Sequence, residues 1–260
     1  MQRIITFLAF ITILLLLLPG CFEEVVDPND NDDNGNGEEL EFDHKLAPGE
    51  SNEAFVTNKE FEELIIEVQY MPGTEPEEEA LAQLVSFLNQ HLQKSEITVR
   101  DPVEISSGGQ NLYLPSDIEE IESNNREFFT EENQLAAYVL FLDGEFENQD
   151  AAGFAQFNTS FSVFHPVIDR VSGPQQFDPS KASVEATIMK HHFGHLMGLV
   201  NNGTEIVQNH HDAPNGPHCT IEECLMNFRL NSANYFETLF QDIDFVLDPL
   251  CVQDLEALKN

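Results

Sequence analysis

Hydrophobic and polar positions repeat along this chain with two alternating periods. From Leu64 to Tyr70 they alternate, with Ile66, Val68 and Tyr70 on one face, which predicts a strand closed by the turn Met71-Pro72-Gly73. From about Glu77 to Gln93, Leu81, Leu84, Val85, Leu88 and Leu92 recur at helical spacing. Ile97–Ile105 predicts a second strand, Gly108-Gly109 a loop, and Ser116–Phe129 an acidic helix. Leu135–Leu142 is apolar without a break and ends at Asp143-Gly144, as a strand buried on both faces would. Phe154–Phe164 alternates through Phe157, Phe161 and Val163 and predicts a further strand. From Ser183 the period is helical again, with Val184, Ile188, His191 and His195 on one stripe and Gly198 where the helix can end. Asp248-Pro249 reads as the N-cap and first turn of a last helix through Leu258, with Val252, Leu255 and Leu258 as core contacts. The order β-α-β-α-β-β followed by helices predicts an α/β sheet covered by helices. There is no internal repeat.

Two segments ahead of this domain, assigned to residues 58–260, carry no core pattern. Residues 1–20 hold Arg3 and an apolar run from Ile4 to Leu18, shorter than the ~20 residues a spanning helix needs but right for a secretory signal. The run ends Leu18-Pro19-Gly20-Cys21, which resembles a bacterial lipobox and marks Cys21 as the lipidated residue. Residues 22–44 carry ten acids and no base among Pro, Asn and Gly, so residues 21–57 read as a disordered acidic tether. Asp30, Asp32, Asn34, Gly35 and Glu41 match the spacing of a Ca²⁺ loop, but Pro28 stands just before it and no entering helix is visible, so Ca²⁺ is not expected.

Charge narrows the partners. Acids outnumber bases 47 to 11 in 260 residues, a net charge of −36. That excludes a nucleic-acid footprint and docking on anionic lipid through basic residues. Hydrophobic residues at 41% argue for a folded domain, and a chain of this length needs no disulfide framework to stabilise it.

The chemistry gathers late in the sequence. Six of the nine histidines lie between 191 and 218. His191 and His195 stand four apart, so one helix face can present both imidazoles to a single metal ion. Beyond them come Asn209-His210-His211-Asp212, then His218-Cys219, then Cys224-Leu225-Met226. No nucleophile elbow, Walker loop or dinucleotide fingerprint is present.

The pattern H-x-x-x-H-x-x-G, followed by His-Cys and Cys-x-Met, resembles the metzincin zinc peptidases, in particular the archaemetzincin branch. The nearest likeness is to lipid-anchored bacterial membrane metalloproteases. It extends over most of residues 46–258, including Tyr70-Met71-Pro72-Gly73, Asn158-Thr159-Ser160 and Gly198-Leu199-Val200-Asn201. The resemblance implies a mixed twisted sheet with an antiparallel edge strand, an active-site helix and a C-terminal helical subdomain. It implies one catalytic zinc, with His191 and His195 as ligands and His218 as the third; His210 is the runner-up and Asp212 a weaker one. Residues 202–217 then form an insertion, because simple metzincins place the third ligand where this chain has Asn201. Met226 matches the methionine that floors the zinc site, and Phe157–Phe164 would be the edge strand holding an extended peptide.

One position departs from the pattern. The family carries Glu directly after the first ligand, where it moves the proton of the metal-bound water. Here it is His192, which can accept a proton near its reference pKa of about 6.5 but differs in reach and charge. Two functions follow: an exported, lipid-anchored zinc metallopeptidase acting on peptides at the bacterial envelope, and a catalytically silent relative kept as a surface binding protein. The resemblance also bears on Cys219, Cys224 and Cys251. Archaemetzincins use four cysteines for a structural zinc, and here the fourth is missing, with Asp248 and Asp254 each three residues from Cys251. In an exported protein a disulfide using two of the three is therefore favoured over a second zinc.

Overall fold

A computed structural model describes residues 42–173, 178–239 and 241–260. Cys21, the apolar run before it and the acidic calcium-like motif lie outside the described residues. The elements in chain order are α1 (Asn52–Val56), β1 (Glu63–Tyr70), α2 (Glu78–His91), β2 (Glu96–Val99), β3 (Val103–Glu104), β4 (Leu112–Tyr113), α3 (Pro115–Asn125), β5 (Gln134–Leu142), β6 (Glu145–Phe146), β7 (Gly153–Phe157), β8 (Ser160–Phe164), α4 (His165–Val171), α5 (Lys181–Leu196), α6 (Ala233–Phe236) and α7 (Pro249–Leu258).

The main sheet runs β2-β1-β5-β8-β7, with β3 extending the pairing of β1. All its pairs are parallel except β7 with β8. The protein is thus mixed α/β, with a mostly parallel sheet and one antiparallel edge strand. β5 occupies the centre because its apolar run can be buried on both faces. β1 is also buried on both faces, although its alternation suggests only one. Its polar positions are satisfied internally. The Glu67 carboxylate accepts from the backbone N–H groups of Glu127 and Phe128 and from Gln69, and Gln69 in turn accepts from the Tyr138 hydroxyl at 2.7 Å.

Several boundaries differ from the sequence reading. The strand expected over Ile97–Ile105 divides into β2 and β3, with Pro102, which cannot donate to a ladder, in the gap. The helix expected to reach Phe129 ends at Asn125, because Arg126 is extended and its guanidinium turns to Glu122 and Ala136 O. Phe154–Phe164 is two antiparallel strands joined through Asn158-Thr159. Phe157–Phe164 is therefore not the sheet edge: β8 is interior, and the edge is β7.

The packed unit also begins earlier than residue 58. Residues 42–57 contribute Phe55 and Val56 to the core, both fully buried, despite their acidic surroundings. The Lys94 ammonium ties this segment down by donating to the carbonyls of Ala54, Thr57 and Phe61 at 2.6, 2.6 and 2.5 Å. Asn158, in the hairpin turn, donates to Asp43 O and Ser51 Oγ. Gly49 meets the turn that follows α5: a Cβ there would stand 1.7 Å from Asn202 O. Among the described residues no helix is long and apolar enough to cross a membrane.

Candidate metal centre

α5 starts where Ser180 Oγ accepts from Ser183 N, and nearly every residue along it is buried. It packs on α2 and against β7 and β8. The chain leaves it through Gly198 at φ 72°, then Val200 and Asn201 at φ 58° and 61°. Left-handed backbone at a β-branched residue is costly and persists only where the surroundings enforce it. Here Thr204 Oγ1 donates to Met197 O and Thr204 N to Gly198 O, closing the reversal. Residues 202–217 then form a loop that returns beside α5, where Asp212 N donates to His218 O at 2.7 Å and Gly216 makes the turn.

This return brings His218 to His191 and His195. One ring nitrogen of each of the three lies within 4.8 Å of the others. Two tautomers are set by backbone carbonyls: His191 Nδ1 donates to Leu225 O at 2.7 Å and His218 Nδ1 to Asn215 O at 2.6 Å. Each ring is thereby left with a bare Nε2. His191 Nε2 faces His195 Nε2 at 3.1 Å, and His218 Nε2 is buried without a hydrogen-bond partner. Burial holds the pKa of all three below the usual histidine range, and the neighbouring imidazoles press His191 and His195 lower. Neutral lone pairs converging at this separation fit one cation: tetrahedral bonds of about 2.0–2.1 Å put ligand nitrogens about 3.3 Å apart.

Met226 and Leu225 floor the cluster. A Cβ on Gly194 would stand 2.2 Å from Met226 Sδ, so the glycine lets the thioether press against the helix between the two histidines. Met226 is fully buried.

His192 packs against β7 and β8, with its ring centroid 5.3 Å from that of His191 and 5.7 Å from that of His195. It stacks on Phe161 at 5.5 Å, and its Nε2 lies 2.2 Å from where a Cβ on Gly153 would be. Burial lowers its pKa to about 3, which nearby Asn231 offsets only in part. The Asn231 amide is committed to Gly153, so both His192 nitrogens are buried without a partner.

His210 does not join the histidines. It sits with the cysteines, which stand as free, buried thiols rather than as the disulfide favoured from sequence. His210 Nδ1 is 3.3 Å from Cys219 Sγ and 3.8 Å from Cys251 Sγ, and Cys224 Sγ is 3.6 Å from Cys251 Sγ. Four ligands at zinc, with sulfur bonds of about 2.3 Å, would be separated by about 3.5–3.8 Å. The opposite ring nitrogen of His210 donates to Asp254 Oδ2 at 2.7 Å, which leaves Nδ1 as the bare one. Backbone N–H groups of Ile221 and Met226 point at Cys219 and Cys224 sulfur at 3.4 and 3.3 Å. Hydrogen bonds from Cys224 and Cys251 hold the Cys219 thiol low, and the same contacts push theirs up. The ligand atoms of His210, Cys219, Cys251 and Asp248 all lie within 4.8 Å of one another. One Asp248 oxygen is 3.2 Å from Cys219 Sγ, and the other caps α7 at Leu250 N. Asp212 stays outside both clusters, accepting from Asn215.

Nothing in the spacing flagged the His210–Asp254 pair or the contact of Gly153 with His192. Both join residues more than thirty apart.

No family model and no curated protein matches the sequence. Among solved structures, the chain is similar to an archaemetzincin from Methanopyrus kandleri, at 13% identity and a TM-score of 0.49, over 77% of this chain and 96% of that one. It is also similar to metalloproteinase-II from Bacteroides fragilis, at 13% identity and a TM-score of 0.41, over 87% of this chain and 59% of that one.

Proposed function

We propose that the chain is a zinc peptidase, exported and held at the bacterial envelope by lipid on Cys21. The observation that carries this reading is the convergence of three buried, neutral Nε2 atoms on one point, two with their tautomers set by backbone carbonyls. His191, His195 and His218 would hold the metal, a donor set of the catalytic kind of zinc site rather than the closed structural kind. When bound, zinc supplies a Lewis acid that polarises a peptide carbonyl and acidifies water. Leu225 O and Asn215 O keep the ligand lone pairs aimed, Met226 supports the ring pair from below, and β7 offers backbone to an extended peptide. His192 directly follows the first ligand, where the metzincin pattern carries its proton-accepting Glu. Cys219, Cys251, His210 and Asp248 would hold a second zinc with a structural role, and Asp254 orients His210 as a carboxylate orients a ligand histidine.

A second reading, a silent binding protein, draws on one specific observation. His192 is wedged between Gly153 and Phe161 and neither of its ring nitrogens has a hydrogen-bond partner, so nothing orients it for proton transfer.

The test uses the full chain loaded with zinc. Metal content should fall in His195→Ala and in His218→Ala. The parent should cleave an unbiased peptide library in a chelator-sensitive way. If the parent is inert while His192→Glu gains activity of about 10²–10⁴-fold over background, the silent reading holds. If neither variant nor parent cleaves with zinc bound, the peptidase reading fails.

A further inference from the structure

The edge strand is largely covered by the protein's own chain. At its metal-proximal end, Asn231–Ala233 lies antiparallel to Asp150–Gly153. Ala152 N donates to Asn231 O at 3.2 Å, Ala233 N to Asp150 O at 2.9 Å, and Ala151 bridges Ser232. The Asn231 side chain finishes the contact as a peptide unit would. Its Oδ1 accepts from Gly153 N at 2.8 Å and its Nδ2 donates to Gly153 O at 3.1 Å. The Asp150 carboxylate locks the covering segment by accepting from Ser232 Oγ and from the N–H of Asn234.

The other end is covered as well. Asn158 N donates to Leu46 O at 2.9 Å, and the Lys45 ammonium lies over the Phe157 ring. Between the two covers, the strand alternates its backbone groups with period two. Gly153 turns its N–H and C=O outward to Asn231, so Ala155 turns its own the same way. No group outside the strand pair, among the described residues, hydrogen-bonds to Ala155. Beyond it the register slips between Ala155 and Phe157.

We infer that Asn231 is a specificity-determining residue: it occupies the pairing position nearest the metal and leaves Ala155 as the one backbone rung open to a substrate, so the site takes short peptides rather than long extended segments. This rests on the peptidase reading and specifies its substrate class. A peptide gains the two hydrogen bonds of Ala155, and lengthening it gains no further ladder. Asn231→Ala uncovers Gly153, so a longer peptide can pair at a second rung.

The test measures binding of a length series of peptides carrying a hydroxamate, a zinc-binding group, to the full zinc-loaded chain. In the parent, affinity should rise with the first residue able to pair and then level off. In Asn231→Ala it should rise again by about tenfold at the next residue, the worth of two net hydrogen bonds. Native-state hydrogen exchange shows whether the variant is folded with Gly153 uncovered: the Gly153 amide should exchange at least tenfold faster, with the β5 amides unchanged. If Asn231→Ala loses β5 protection, Asn231→Ser, whose single hydroxyl cannot reproduce the amide's separate donor and acceptor atoms on Gly153, should show the same second rise. The inference is overturned if parent affinity keeps growing with length, or if the folded variant shows the parent's plateau. Failure of the bare hydroxamate to bind zinc-loaded protein, by contrast, overturns the peptidase reading and this inference with it.

Discussion

Replacing Gly194 by alanine isolates the contact between the histidine helix and Met226. The added Cβ would stand 2.2 Å from Met226 Sδ and 3.0 Å from its Cε, closer than packed atoms approach. In an open helix this exchange gains about 1 kcal/mol. In a filled core the crowding costs ~1–3 kcal/mol, so a net loss of up to about 2 kcal/mol is expected. The displaced residue follows Leu225, whose carbonyl receives the His191 Nδ1 proton at 2.7 Å. Disturbing an outer contact of that kind lowers metal affinity about 10–100-fold. Zinc competition against a chromophoric chelator reads the affinity, and urea unfolding of the zinc-free chain reads the stability. Met226→Ala alone should cost ~2–5 kcal/mol through the cavity it leaves. The double variant should then be at least about 1 kcal/mol more stable than the two losses added, because the new methyl fills part of that space. Strict additivity, with parental zinc affinity in Gly194→Ala, would refute the contact.

Two further predictions concern other buried groups. His210→Ala or Cys251→Ser should lower the metal content from two zinc ions per chain to one and lower the unfolding temperature, as read by elemental analysis and calorimetry. Glu185 lies inside α5 with Oε2 on Glu77 N and Oε1 without a hydrogen bond, 3.8 Å from Lys181 Nζ, and burial outweighs that cation and raises its carboxyl pKa from 4.5 to about 7. Its folded-state pKa is the higher one, so the stability it confers is full below about pH 4.5 and is lost as pH rises through about 7. Glu185→Gln should flatten that decline, worth about 3 kcal/mol, in unfolding curves taken between pH 5 and 8.

Much of the fold was legible because burial dictates period. β5 stands out as an unbroken apolar run, α2 and α5 as helical stripes, and α7 as a capped start at Asp248. The misreadings have local causes. The turn at Asn158-Thr159 interrupts β7 and β8 without breaking the apolar beat, so two strands look like one. Residues 42–57 look like a tether by composition, but Phe55 and Val56 anchor them in the core and Lys94 reaches three carbonyls there. In the site, the spacing of His191 and His195 was readable because one helix holds both. The partners of His210 were not, since they arrive from a loop and from α7, and no local pattern encodes that meeting. His192 was visible as a departure, yet its wedge under Gly153 depends on a strand far away in sequence.

His218 and Cys219 are consecutive, and each belongs to a different buried cluster. Neighbouring side chains on extended backbone point to opposite sides, so one peptide bond serves as a partition wall with a ligand on each surface. Such a wall tolerates exchanges of residue far better than changes of length. A single residue inserted or deleted there would turn a sulfur toward the imidazoles or an imidazole toward the sulfurs, and unmake both compartments at once.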